Sequence, residues 1–166
     1  MDALLGLAPS ADDYAHLPVR QALTWGACAD AIPAGDWYLV AFRSIQRAGA
    51  DADRLRLFDD LAHAEAEHAP GFLHYFKGPL AKDGSCLSFC LWNSRAEARL
   101  AAAEPAHREA VSVISEMYES YVLEFLQVRK RDATAVLEFE PYDSRSAAPS
   151  RRDVAPRLMG LNPATS

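Results

Sequence analysis

Two histidines offer the most direct chemistry in this sequence, because imidazole changes its charge near neutral pH and can act as a general base. His107 lies four, seven and eleven residues before Val111, Ile114 and Tyr118. In a helix this spacing places His107 on an apolar stripe rather than on a solvated face. The spacing favours a histidine that borders the interior, either as a base toward a bound ligand or as a plain packing residue.

His74 is the second candidate, in the middle of a short aromatic strand in which Phe72 and Phe76 share its side. An unpaired histidine under a helix layer would cost about 1–3 kcal/mol of desolvation. We therefore predict that His74 faces an internal cavity on the other side, within reach of Arg43 or Tyr118. There it could act as a base toward a phenol or enol, and the alternative is a histidine at the cavity rim.

Aromatic residues at the ends of the predicted elements could line a flat ligand pocket. Trp92 closes a strand, and Tyr118 shares the helical stripe of His107. We predict that a small apolar or aromatic ligand would meet Trp92, Tyr118, Phe72 and Phe76. Plain core packing is the alternative for all four.

Metal chemistry is not expected. His63 and Glu67 are four apart on a predicted helix, with Asp60 nearby, but Arg56 and Asp59 on the same face indicate solvated charge. The three cysteines, Cys28, Cys86 and Cys90, do not form the two pairs of a zinc site. Without an export signal, they are expected to be reduced thiols of a cytoplasmic protein.

The predicted elements follow the order β-α-β-β-α-β, the split βαβ pattern of a ferredoxin-like α+β domain. Strands are predicted over 37–45, 72–76, 86–92, 121–128 and 136–139, and helices over 53–68, 95–103 and 106–120. In the first of these helices the stripe predicted to face the core is Leu57, Phe58, Leu61, Ala62 and Glu65.

The first and third strands are apolar at both parities, as in the run from Trp37 to Phe42. Helices can cover only one face of such a sheet, and a strand that is apolar on both sides needs both faces buried. The sequence therefore predicts that a second copy covers the other face in a symmetric homodimer.

The remaining chain divides into flanks around this domain. We expect residues 1–36 to be an N-terminal arm with one short helix within 19–31, 37–142 to be the domain, and 143–166 to be a disordered tail rich in Ser, Ala, Pro and Arg. A formal net charge of −6 argues against nucleic-acid and anionic-membrane partners. No window is long and apolar enough for a transmembrane helix.

Three short motifs, in this order and spacing, resemble the antibiotic biosynthesis monooxygenase-like family of the dimeric α+β barrel superfamily. They are Pro70-Gly71-Phe72, the run from Phe89 to Ser94, and Pro105-Ala106-His107-Arg108. The resemblance spans roughly residues 37–129 and implies a ferredoxin-like dimeric barrel with a ligand cavity.

The resemblance implies three possible functions. The first is cofactor-independent oxygenation of an aromatic or enolisable substrate, with His74 or His107 as base and Arg43 nearby. The second is binding or degradation of haem through His107, since haem-degrading relatives bind iron through a histidine on the corresponding helix. The third is a non-catalytic dimer that binds a ligand or assists another protein.

Overall fold

Five antiparallel strands form one sheet in the computed structural model, which describes residues 2–131 and 136–143. The strands are β1 (Gly35–Gln46), β2 (Phe72–Phe76), β3 (Ser85–Trp92), β4 (Tyr118–Lys130) and β5 (Leu137–Pro141). Their spatial order is β2-β3-β1-β4-β5. The first four strands have the order of the split βαβ pattern, which confirms the predicted ferredoxin-like α+β class. β5 extends the sheet beyond β4.

The helices that follow β1 and β3 all lie on one face of this sheet. They are α2 (Ala52–Glu67), α3 (Arg95–Ala101), α4 (Pro105–Ser112) and α5 (Ile114–Met117). The predicted last helix is shorter than expected because α5 ends at Met117 and β4 begins at Tyr118, three residues before the predicted start. Val and Tyr residues there favour the strand.

Helix α2 has a different orientation from the one predicted. Asp51 caps it through a hydrogen bond from the backbone N–H of Arg54, and Leu57 and Leu61, predicted to pack, are 56% and 46% exposed. The side chains turned to the sheet include Phe58, Asp59, Ala62, His63 and Ala66. The predicted charged face is thus partly internal, because Asp59 and His63 find partners there.

The opposite face of the sheet is covered by the N-terminal arm. The arm consists of 3-10 turns at Asp2–Gly6, Tyr14–His16, Trp25–Ala27 and Ala29–Ala31, with the four-residue α1 (Val19–Ala22) among them. Apolar arm residues form one core with the sheet residues Trp37, Leu39, Ala41, Leu87, Phe89, Leu91 and Val128; the arm members are Leu4, Leu7, Tyr14, Ala15, Val19, Ala22, Leu23, Trp25, Cys28 and Ile32.

The arm therefore covers the second apolar face of β1 and β3, for which the sequence predicted a second copy of the chain. One parity of β1 and β3 packs under the arm, and the other parity faces the helices. The arm belongs to the same chain, so burial of the second face does not require a second copy. The predicted tail lies outside the described residues, apart from Asp143.

Candidate functional site

A cavity of about 600 Å3 lies between the helix layer and the sheet. Alternate residues of β1, β3 and β4 form its floor, among them Val40, Phe42, Cys90, Trp92 and Phe125. Helices α2 to α5 form its roof. Its volume is in the range of small-molecule sites, which are also mostly apolar.

The roof is unusual because neither of its two longest helices, α2 and α4, contains a fully buried residue. Both nevertheless turn apolar side chains toward the sheet. Helices normally gain their stability by packing an amphipathic face, at roughly 1.5–3 kcal/mol for each large apolar side chain. Here that face borders empty space that an apolar molecule could fill.

His107 projects from the first turn of α4 into this cavity. Burial lowers the pKa of its imidazole, while the Glu65 carboxylate acts in the opposite direction. The ring makes no hydrogen bond to the residues within 2–131 and 136–143. His107 is therefore a neutral base at pH 7, with its ring nitrogens available to a ligand.

Two phenols from β4 line the cavity near α5. The rings of Tyr118 and Tyr121 lie 5.3 Å apart, and burial raises the pKa of Tyr118 to about 12. Burial also raises the pKa of Tyr121. Both hydroxyls stay protonated at neutral pH, so they can donate hydrogen bonds to an oxygen atom of a ligand.

A polar cluster forms the cavity wall between α2 and β2. The Tyr75 hydroxyl donates a 2.6 Å hydrogen bond to Oδ1 of Asp59, and Lys77 Nζ lies 2.7 Å from Asp59 Oδ2 and 2.9 Å from Asp60 Oδ1. Burial, followed by the Asp59 carboxylate, raises the pKa of Tyr75. The ring of His63 packs 4.8 Å from that of Tyr75. The Tyr75 hydrogen bond and the Lys77 ion pairs hold α2 to the edge of the sheet.

Three of the seven predicted site residues meet at the cavity. They are His107, Trp92 and Tyr118. Of these, Trp92 is the most deeply buried, with 4% of its surface exposed.

The expectation that His74 lines the cavity is wrong. His74 does point away from the helices, as predicted, but that side is covered by the arm, and its ring lies 5.9 Å from that of Phe89. Phe76 stacks on Phe89 at 5.5 Å on the same side. The register of β2 shifts between Phe72 and His74, so Phe72 instead packs at 5.3 Å against Trp92.

Arg43 also lies on the arm side, not beside the cavity. Its guanidinium forms an ion pair with Glu124 and donates to the backbone carbonyl oxygens of Ala15 and Leu17. These partners belong to β4 and to the arm, so Arg43 holds the arm against the sheet.

Glu65, Asp59 and Tyr75 are site residues that were not predicted from the sequence. Glu65 was assigned to a packed stripe and Asp59 to a solvated face. The sequence did contain a signal, because Asp59 and Glu65 lie close to Phe58 and Ala62 on the helix surface. Carboxylates among apolar residues usually have a partner. Within the described parts of the chain, no group of three or more His, Cys, Asp or Glu side chains could hold a metal ion.

Comparison with known proteins gives one family match. A family model described as PB2B2.08-like covers residues 1–141, which include the arm and all five strands. The chain belongs to this family. No curated protein matches it. Among the described residues no helix is long and apolar enough to cross a membrane.

Several solved structures are similar to the chain over part of its length. A variant of SnoaB, described as a cofactor-independent oxygenase from Streptomyces nogalater, is 16% identical at a TM-score of 0.49, with 61% of this chain and 100% of that chain covered. Rv0793 from Mycobacterium tuberculosis is 17% identical at a TM-score of 0.48, with 59% and 99% covered. A dimeric ferredoxin-like protein of unknown function from Thermobifida fusca is 15% identical at a TM-score of 0.46, with 58% and 92% covered. The chain is assigned to the ferredoxin-like class from its own strand order, β2-β3-β1-β4-β5.

Proposed function

We propose that the chain is a small-molecule enzyme of the antibiotic biosynthesis monooxygenase-like type, which binds an apolar or aromatic ligand between its helices and its sheet. One observation carries the proposal: α2 and α4 contain no fully buried residue, yet they roof an apolar cavity of about 600 Å3. A ligand in that space would supply the apolar contacts that the two helices lack.

The chemistry we propose is oxygenation without a cofactor. A neutral His107 removes a proton from a phenol or enol, and the resulting carbanion passes an electron to dioxygen. The substrate radical and superoxide combine to a peroxide anion, which takes the proton back from His107. The resulting hydroperoxide loses water to give a ketone. A CH2 group and O2 thus become C=O and H2O. The apolar floor excludes bulk water from the carbanion, and the Tyr118 and Tyr121 hydroxyls can donate to its oxygen.

A binding experiment tests the first part of the proposal. Of the three tryptophans, Trp92 lines the cavity, whereas Trp25 and Trp37 belong to the core under the arm. Anthrone, a tricyclic ketone that enolises to a phenol, should quench the fluorescence of the wild type and of Trp37→Phe. Quenching should be lost in Trp92→Phe. Equal quenching in all three proteins would place the ligand elsewhere.

A turnover experiment tests the second part. Under 18O2, anthraquinone formed from anthrone should carry one labelled oxygen, and His107→Ala should slow its formation by about 10²–10⁴-fold. His16→Ala serves as the control because His16 is exposed and lies outside this cavity. Binding without turnover in the wild type would favour a non-catalytic ligand-binding protein.

Haem binding through His107 is a second candidate. The ring is neutral, faces the cavity and makes no hydrogen bond to the part of the chain that the structure describes. The donor fits an iron ligand, but the usual partner of a metal-bound histidine, a carboxylate or carbonyl at the other ring nitrogen, is missing from those residues. A Soret band on haem addition that disappears in His107→Ala would support this candidate.

Pairing of two copies and a cytoplasmic location stay predictions from the sequence. The sheet face that motivated the dimer is covered by the arm, so a dimer would have to use another surface. Light scattering distinguishes a monomer of 18.2 kDa from a particle of twice that mass.

A further inference from the structure

The first turn of α4 has an uncommon cap. The backbone N–H groups of Ala106 and His107 donate to the two carboxylate oxygens of Glu65 on α2, at 3.2 and 3.1 Å. Pro105, the first residue of the helix, has no N–H to donate, and the preceding residue, Glu104, forms no side-chain cap. A residue from another helix therefore replaces the local cap that usually satisfies these donors.

We propose that Glu65 is the positioning residue of His107, and that its carboxylate fixes the start of α4 so that the imidazole faces the cavity. An effect of Glu65 on catalysis rests on the function proposed above, in which His107 is the base. The contact itself does not depend on that function, because it joins α2 to the backbone of α4 within the protein alone.

Among the charged residues of α2 and α5, Glu65 is the one that contacts the start of α4, and the others bind different partners. On α2, Asp59 is bound to Tyr75 and Lys77, and His63 lies 3.5 Å from Glu67. On α5, Glu116 pairs with Arg54 at 2.9 Å.

Tyr118 and Tyr121 on the cavity floor have phenols that stay neutral at pH 7. Arg56 of α2 and Arg99 of α3 also line the cavity but are exposed, and Glu104, Arg108 and Glu109 occupy exposed positions at the start of α4. Glu65 is the carboxylate that raises the pKa of His107, against the lowering by burial.

The test follows the titration of His107 by NMR of the histidine ring protons in the full chain, with His107→Gln used to assign its signal. In Glu65→Gln the charge is lost while one acceptor oxygen remains, so the midpoint of His107 should fall below that of the wild type. Glu67→Gln is the matched control, since Glu67 lies on the same helix but beside His63. It should leave the His107 midpoint in place. A His107 midpoint that is unchanged or higher in Glu65→Gln would overturn the proposal.

Amide hydrogen exchange tests the cap separately. In Glu65→Ala the N–H groups of Ala106 and His107 should exchange about fivefold faster or more, as expected for the loss of a helix cap. Glu65→Gln should restore part of the protection through its remaining oxygen. Unchanged exchange of both amides in Glu65→Ala would also overturn the proposal.

These measurements need no substrate, so they separate the two claims. If both NMR results hold and the wild type never oxidises anthrone, the proposed oxygenation is wrong and the role of Glu65 stands. If anthrone is oxidised but Glu65→Gln leaves the His107 midpoint and the pH profile of turnover unchanged, the role of Glu65 is wrong and the oxygenation stands.

Discussion

Arg43 of β1 donates a hydrogen bond from its guanidinium to the backbone carbonyl oxygen of Leu17, 2.6 Å away. The same group donates to Ala15 and pairs with Glu124 of β4. One side chain thus joins the arm, the central strand and its neighbour. Lys130 has a similar role at the other end of the arm, where its ammonium donates to the carbonyl oxygens of Ala29 and Ile32.

Replacing Arg43 should weaken the whole fold. Arg43→Met leaves two carbonyl oxygens and the Glu124 carboxylate without this donor, so we expect the free energy of unfolding to fall by about 1–3 kcal/mol. Urea denaturation measures the change. Arg54→Met removes the exposed pair with Glu116 and should cost less than about 1 kcal/mol. Equal losses in the two variants would show that Arg43 does not clamp the arm.

The arm should contribute to stability like any other part of the core. Trp25 is 6% exposed, and its ring lies 5.3 Å from Phe89 and 5.0 Å from Phe139. Trp25→Ala should lower the free energy of unfolding by about 3–5 kcal/mol. Leu5→Ala, at a position that is 76% exposed in the same arm, should change it by less than about 0.5 kcal/mol. A small effect at Trp25 would mean that the arm is not docked in solution.

Acid should destabilise the protein in part through His74. Burial lowers the pKa of folded His74 to about 4, whereas the unfolded chain titrates near 6.5. Between these values the unfolded chain binds more protons, so stability is full above pH 6.5 and falls as the pH drops toward 4. The loss should be about 1–3 kcal/mol, allowing for partial solvent screening of the ring.

The variant His74→Phe isolates this effect, because phenylalanine keeps the contact with Phe89 and does not titrate. The difference in urea midpoint between pH 7.5 and pH 4.5 should shrink in the variant, and His107 accounts for part of what remains. A difference as large as that of the wild type would show that His74 is not buried as a neutral ring.

The cavity should accept added volume where the rest of the core should not. Ala62 faces the cavity from α2, so Ala62→Leu should keep or raise the free energy of unfolding by up to about 1 kcal/mol while weakening anthrone binding. Ala22 is fully buried under the arm, and Ala22→Leu should cost about 1–3 kcal/mol by overpacking. Equal destabilisation by both would mean that the cavity closes in solution.

The element order and the fold class could be predicted because they depend on local patterns. The β-branched and aromatic runs of β1 and β3, and the turn residues around Pro70 and Gly84, mark strands and their ends. Trp92 and Tyr118 lie at one cavity because they oppose Tyr38 and Gln46, two residues of β1 that also line it. The approach of His107 follows from its helical stripe.

The remaining features depend on contacts between distant segments. The arm has short 3-10 turns and no helical or strand period, so nothing in it predicts that Tyr14 donates to Pro79, 65 residues away, at 2.6 Å. The register shift in β2 separated Phe72 from His74, which simple alternation had placed together. The rotation of α2 was set by the Asp59 contacts with Tyr75 and Lys77 rather than by Leu57 and Leu61.

The arm imposes an order on the folding reaction. It is synthesised before the strands that it covers, yet Lys130 reaches Ala29 across 101 residues and Trp25 packs on Phe139 of β5. Contacts between such distant residues need the intervening loop to close, and they slow folding. The arm contacts of Lys130 and Phe139 can therefore form only once β4 and β5 are in place, and until then the cover over β1 and β3 is incomplete. During this interval the nascent sheet is open to pairing with other chains, which makes the arm the step that ends the exposure of the protein to aggregation.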